Sequence, residues 1–115
     1  MGLDTYSTIP DLDYTGIELC GGMMSSNGAG SFRGKVYSDF IEHVTGVSLY
    51  EEVITNDVIH NMAKQLDTWV LDNVEEQTCF TNGIDGSKVT WEEAYMLAKW
   101  FKVTAEGGAD VTGWW

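Results

Sequence analysis

The longest regular pattern of hydrophobic and polar positions lies between residues 56 and 77. Apolar residues recur there at intervals of three and four, the spacing that places them on one face of an α-helix. The apolar positions are Val58, Ile59, Met62, Ala63, Leu66, Trp69, Val70 and Val74. Burial of each larger side chain contributes roughly 1.5 to 3 kcal/mol to stability. The pattern therefore predicts a helix over 56–77 that forms the floor of the core.

Two shorter stretches repeat the helical pattern. One covers about 35–45, where Gly46 ends it, and the other covers about 90–103. In the second stretch, Thr90 is followed three residues later by Glu93, a capping-box spacing in which each side chain accepts a hydrogen bond from a backbone N–H at the helix start. We therefore predict three main helices, with the third packed on the second.

Short extended segments and turns are predicted outside these helices. Alternating apolar and polar residues over 14–20 indicate one short strand. Two Asx-Gly turn signals indicate a small hairpin or loop near 79–89. A second capping-box spacing, Ser48 with Glu51, predicts a short helical turn through Ile54.

The fold class that follows from these elements is α+β and predominantly helical. Its elements are three main helices over about 35–45, 56–77 and 90–103, a strand near 14–20 and a hairpin or loop near 79–89. A chain of 115 residues is long enough for one core but leaves little room for a second. We therefore predict a single domain over 1–115, in which residues 1–13 form an irregular N-terminal arm because they show no lasting period.

The charge of the chain is strongly negative. Six Lys and Arg residues oppose 18 Asp and Glu residues, for a formal net charge of -12. Duplex nucleic acid and anionic membranes would be repelled by such a protein, whereas a basic protein partner would be attracted. Solubility, adaptation to a salty habitat and imitation of a polyanion such as DNA all remain open as explanations. The predicted protein-binding residues are Glu51, Glu52, Asp57, Asp67, Asp72, Glu75 and Glu76.

The acidic end of the long helix conflicts with helix electrostatics. Asp72, Glu75 and Glu76 lie near its predicted C-terminus, where the macrodipole disfavours each negative charge by roughly 0.3 to 1 kcal/mol. Either the helix stops by Asn73 or these carboxylates serve another purpose.

A glycine-rich segment over 21–34 leads into the first helix and is the alternative candidate site. Backbone N–H groups at a helix start can bind phosphate, although the detailed phosphate-loop and dinucleotide motifs fail on spacing. The competing interpretation is a flexible loop whose cations pair with neighbouring acids. The alternative site, for a phosphate or nucleotide, consists of Gly28, Gly30, Arg33, Gly34 and Lys35.

Catalytic and metal-binding chemistry has little support in the sequence. The two cysteines and two histidines are far apart, which makes a poor zinc signature. Nothing in the sequence brings Cys20 and His43 together as a catalytic dyad, and a calcium loop in the segment near 79–89 lacks ligands in either register. We therefore predict no catalytic residue, no metal site and no cofactor, and favour a non-enzymatic protein.

The compartment is predicted from cysteine usage and apolar runs. Two cysteines are too few for a disulfide scaffold, and no signal-peptide pattern opens the chain. We therefore expect a reduced, cytoplasmic protein. No apolar run approaches the length that spans a bilayer, so we expect no membrane attachment.

Several short motifs in the first half of the chain carry a resemblance. They are MGLDTY at 1–6, IELCGG at 17–22, SFRGKVY at 31–37 and GVSLY at 46–50. This set resembles a group of small acidic proteins of bacteriophages and prophages to which no activity is assigned. Small acidic phage proteins often act as stoichiometric inhibitors of host machinery. The resemblance implies a phage setting and no mechanism. The general behaviour of small acidic phage proteins favours an inhibitor of a basic, nucleic-acid-handling protein in the host cytoplasm, of the anti-CRISPR or DNA-mimic class.

Overall fold

The computed structural model describes residues 4–9, 12, 14, 17, 31–75, 80–81 and 88–114. Within these residues the helices are α1 (Gly34–Thr45), α2 (Asn56–Asp72) and α3 (Trp91–Glu106). The strands there are β1 (Asp4–Ser7), β2 (Ser31–Arg33), β3 (Val53–Ile54), β4 (Phe80–Thr81), β5 (Lys88–Val89) and β6 (Val111–Trp114). The predicted α+β, predominantly helical fold class is confirmed.

The N-terminal strand β1 lies inside an antiparallel sheet of order β2-β1-β6-β3. Thr5 pairs with Phe32 on one side and with Gly113 on the other. The prediction of an irregular arm is therefore wrong for Asp4–Ser7. Its buried positions, Thr5 and Ser7, are polar, so the strand shows no apolar alternation, and its partners lie far away in the sequence.

Helices α2 and α3 run antiparallel and form the most extensive packing in the described chain. At one end, the indole N–H of Trp91 donates to the carbonyl of Val70 over 3.0 Å. At the other end, the side-chain amide of Asn56 donates to the carbonyl of Ala105 over 3.2 Å. Helix α1 packs on α2 through the rings of Phe40 and Trp69, whose centroids are 4.9 Å apart.

The centre of the core is aromatic. Trp100 of α3 is fully buried, with its ring 4.8 Å from that of Phe32 in β2 and 5.0 Å from that of Phe101. The ring of Tyr14 stacks on the same indole at 5.5 Å. This cluster joins the sheet to α3, so it fixes the helix on which much of the site described below is built.

The second helix is shorter than predicted. It ends at Asp72 rather than near residue 77, and Asn73 is its C-cap, so the alternative that the helix stops by Asn73 is confirmed. The side-chain amide of Asn73 donates to the carbonyl of Trp69 over 2.7 Å, and the backbone N–H of Asn73 donates to the same carbonyl over 3.1 Å. Ending the helix there also removes Glu75 from its unfavourable macrodipole.

The third helix is longer than predicted. It runs to Glu106 rather than about 103. Gly107 follows as its C-cap, and Gly108 has a φ of 74°, a left-handed conformation that glycine adopts without the steric cost of a Cβ. The first helix starts at Gly34, one residue earlier than predicted.

The predicted helical turn through Ile54 is wrong. The hydroxyl of Ser48 accepts a hydrogen bond from the backbone N–H of Tyr50, two residues on, over 3.1 Å. This local bond competes with the capping pattern expected for Glu51. The chain then enters β3, which pairs with β6.

The remaining two predictions concern the strand near 14–20 and the hairpin near 79–89. Of the first segment, only Tyr14 and Ile17 are described; both are buried and neither belongs to a strand. The other positions of 14–20 lie outside the described residues. The hairpin is confirmed, because β4 and β5 pair antiparallel with Phe80 opposite Val89, while 82–87 lie outside the described residues.

Candidate functional site

The predicted protein-binding carboxylates lie along α2 and beside both of its ends. Glu51 and Glu52 precede β3, and Glu75 follows the helix. The described members of the set, Glu51, Glu52, Asp57, Asp67, Asp72 and Glu75, are all exposed, and we call them the acidic surface. Glu76 lies outside the described residues.

The three carboxylates within α2 point in different directions. Asp57 faces away from the buried Ile59, because positions two apart on a helix differ by about 200°. Asp67 lines a groove against α3. Asp72 borders a shallow depression on the side of α1, together with His43. The acidic surface is therefore spread around the exposed half of α2, and these three residues do not form one compact cluster.

A groove of about 510 Å³ lies between α2 and α3. Small side chains at three facing positions, Ala63, Ala98 and Ala105, are buried in its walls. Larger residues there would fill the space between two helices whose axes are typically about 8–10 Å apart. The residues that line this α2–α3 groove are His60, Ala63, Lys64, Asp67, Val70, Leu71, Val74, Trp91, Tyr95, Ala98, Lys99, Lys102, Ala105 and Glu106.

One end of the groove is apolar. Leu71 and Val74 are 65% and 44% exposed, and Tyr95 across the groove is 38% exposed. The ring of Tyr95 packs edge-on against that of Trp91, with centroids 5.6 Å apart. The hydrogen bond from the Trp91 indole to Val70 holds this aromatic wall in place. Exposed large apolar side chains grouped in one place are typical of a binding surface.

From its middle to its other end the groove carries positive charge. Lys64 of α2 and Lys99 and Lys102 of α3 line this part, together with Glu106, and these lysines are half of the six Lys and Arg residues of the chain. The ammonium nitrogen of Lys99 lies 4.8 Å from the ring centroid of Tyr95, a cation–π distance. Lys99 therefore connects the cationic end to the aromatic wall.

Sequence analysis did not identify this groove. Lys64 belongs to the polar face of the long helix, and Lys99 and Lys102 belong to that of the third helix. One available signal was that half of the scarce cations fall on the two helices predicted to pack together. The other was that Leu71, at the end of α2, is an apolar residue outside the single stripe predicted to be buried.

The alternative phosphate site is only partly described. Gly28 and Gly30 lie outside the described residues. Arg33 is the last residue of β2, and Gly34 and Lys35 open α1. A strand does lead into this helix, but it is β2 and not the strand predicted near 14–20. Phosphate or nucleotide binding at this junction stays a prediction.

The described residues contain no group of three or more His, Cys, Asp and Glu side chains placed to hold a metal ion. Cys20 and Cys79 lie outside the described residues, and the ring of His43 lies 5.1 Å from that of Phe80. Among the helices of the described part of the chain, none has the length and hydropathy to cross a bilayer.

Two surfaces of the described structure are therefore candidate binding sites: the acidic surface around α2 and the α2–α3 groove. The first is exposed charge on a helix whose opposite side is buried in the core. The second is an apolar and cationic cleft in a strongly acidic chain.

The sequence matches none of the protein-family models compared with it, and neither curated proteins nor solved structures match the chain.

Proposed function

We propose that this protein is a non-enzymatic binding protein whose acidic surface engages a basic protein partner. The observation that carries the proposal is the exposure of all six described carboxylates of that surface. Lys64 is the one Lys or Arg within the 17 residues of α2. The outer half of this helix therefore presents mainly negative charge to an approaching molecule.

Electrostatics supports a partner that normally handles nucleic acid. A net charge of -12 attracts a cationic cleft over a distance set by the Debye length, about 8 Å at physiological ionic strength. Such attraction accelerates association and weakens with salt. The likeness of the sequence motifs to small acidic phage proteins supports an inhibitor of the anti-CRISPR or DNA-mimic class.

The charge density favours partial rather than complete imitation of DNA. The 17 residues of α2 extend about 25 Å, a length over which duplex DNA carries about 15 phosphate charges. Three carboxylates of the acidic surface lie within α2, and its three other described carboxylates flank the helix. The proposed partner therefore uses a few ion pairs and packs against neutral residues between them, rather than following a polyanion along its length.

Affinity capture with a tagged chain tests the proposal. Bacterial lysate is passed over the immobilised protein, the column is eluted with a salt gradient, and the released proteins are identified by mass spectrometry. The expected result is one basic, nucleic-acid-handling protein released at moderate salt. DNA added to the purified complex should then compete with the chain for that protein. A partner that is not basic, or one whose binding is insensitive to salt, would contradict the proposal.

Matched charge reversals then locate the contact. The variant Asp57→Lys with Asp72→Lys changes the acidic surface, and Glu42→Lys with Glu92→Lys makes the same change in net charge on exposed positions of α1 and α3. We expect the first pair to weaken binding at least about tenfold more than the control pair, a difference of about 1.4 kcal/mol. Equal losses from both pairs would mean that net charge alone drives binding. Circular dichroism confirms that each variant is folded.

A further inference from the structure

The shape of the α2–α3 groove suits a narrow, extended ligand. Its lining reaches from Trp91 to Glu106, the first and last of the 16 residues of α3, which is a length of about 24 Å. Its volume of about 510 Å³ lies within the range of about 300–1,000 Å³ typical of small-molecule sites. Buried alanines in its walls make it a slot between two helices, whereas a docked helix needs room for a cylinder about 10 Å wide.

The groove is apolar at one end and cationic at the other. Leu71, Val74 and Tyr95 expose apolar surface beside the start of α3. His60, Lys102 and Glu106 line the opposite end, where α2 begins and α3 ends, and Lys64 and Lys99 lie between the two ends. A ligand that matches both ends has an apolar chain and a polar, negatively charged head.

The local charge of the groove differs in sign from that of the whole chain. Three lysines against Asp67 and Glu106 leave it with a formal charge of +1, with His60 neutral, while the chain carries -12. Charges farther away than a Debye length of about 8 Å are largely screened at physiological ionic strength. A single carboxylate placed among the lysines therefore meets attraction from the groove, and it neutralises the local charge.

We propose that the α2–α3 groove binds a fatty-acid carboxylate. The acyl chain lies along Leu71, Val74 and Tyr95, where it removes exposed apolar surface from water. The carboxylate lies at the cationic end and is bound by Lys102 together with Lys64 or Lys99. The cation–π contact at Tyr95 already holds Lys99 beside the path of the chain.

The test is a titration of the full chain with decanoate, kept below its micelle concentration and followed by ¹⁵N–¹H NMR. We expect saturable shifts of the backbone amides of Leu71, Tyr95 and Ala98, which belong to the two walls of the groove. Affinity should rise by about tenfold for each extension of the chain by two carbons, from octanoate to decanoate to dodecanoate, because each buried CH₂ adds a similar increment. No saturable binding, or shifts confined to other parts of the chain, would overturn the proposal.

A matched pair of lysine variants tests whether the groove recognises the carboxylate of the ligand. Lys102→Glu should weaken decanoate binding by about tenfold or more, since a charged hydrogen-bond partner is replaced by a like charge. Lys88→Glu makes the same charge change in β5, outside the groove, and should leave the affinity within about twofold. Equal effects of the two variants, or equal binding of uncharged decanol, would show that the carboxylate is not recognised.

Filling the slot tests the path of the chain. Ala98→Leu places a larger side chain in the groove wall and should abolish binding of decanoate. Leu71→Ser changes a side chain that is 65% exposed, so it leaves the fold intact and should weaken binding even if the Ala98 variant does not fold. Decanoate binding that survives both changes would overturn the proposal, as would a groove that binds an acidic helical peptide and no decanoate. Partner binding through the acidic surface is measured separately, so either proposal can fail alone.

Discussion

Two buried threonine hydroxyls differ in whether they form hydrogen bonds. The hydroxyl of Thr104 donates to the carbonyl of Trp100 over 2.8 Å and lies 2.7 Å from the hydroxyl of Tyr14. Since its one hydrogen is used on the carbonyl, it accepts from Tyr14. The hydroxyl of Thr5, in the middle of β1, is buried without a hydrogen-bond partner among the described residues. One threonine therefore ties Tyr14 to α3, and the other costs stability.

The variant Thr5→Val should stabilise the protein by about 1 kcal/mol, because a methyl group of similar size replaces an unsatisfied hydroxyl. Thr104→Val is the matched control and should destabilise the protein by about 1–3 kcal/mol, because it leaves the Tyr14 hydroxyl without its acceptor. Urea unfolding of the three proteins measures both differences. A clear loss of stability in the Thr5 variant would mean that its hydroxyl is hydrogen-bonded.

At the scale of elements, the start of α2 is joined to the end of α3. Thr55, the residue before α2, makes no capping bond with its side chain. Instead, a carboxylate oxygen of Asp110 accepts from the backbone N–H of Asn56 over 2.9 Å. The side-chain amide of Asn56 donates in turn to the carbonyls of Ala105 and Ala109. This exchange satisfies groups at both helix ends and joins the two walls of the groove at this end.

Removing this cap should weaken the fold. We expect Asp110→Ala to lower the free energy of unfolding by about 1–2 kcal/mol, since it removes a cap and a negative charge from a helix start. Asp57→Ala removes a charge from the same first turn and should cost about 0.3–1 kcal/mol. Thermal and urea unfolding compare the two variants. Equal losses would mean that charge, and not the hydrogen bond to Asn56, accounts for the effect.

At the scale of the whole molecule, negative charge opposes compaction. The chain carries -12 within a radius of gyration of 12.7 Å, so many like charges lie within reach of one another at low salt. The Debye length falls from about 30 Å at 0.01 M salt to about 3 Å at 1 M. Self-repulsion therefore decreases steeply with salt, while the buried aromatic core is affected far less.

The midpoint of thermal unfolding should rise by several degrees as NaCl increases from about 0.01 M to about 0.5 M, because screening reduces self-repulsion. Circular dichroism should show helical signal already at the lower concentration. A chain that folds only in molar salt would instead support adaptation to a salty habitat. A melting temperature independent of salt would mean that ion pairs within the fold offset the excess of acids.

Much of the helical part of the fold was predictable. The Thr90 and Glu93 capping box forms as its spacing predicts, and three helices occupy the three periodic stretches. The helix ends were harder, because the side-chain bond of Asn73 and the glycines after α3 decide them locally. Of the candidate sites, sequence analysis placed carboxylates on exposed positions of α2, but it could not orient Asp67 towards α3.

The sequence by itself determined the helices, the hairpin and the negative charge, because periodicity, turn chemistry and ionisable groups act over a few residues or need no neighbours at all. Only the tertiary structure decided the sheet, in which Thr5 lies between Phe32 and Gly113. It also decided the cap of α2 by Asp110 and the α2–α3 groove. Each of these features depends on which distant residues become neighbours, and local pattern carries no record of that choice.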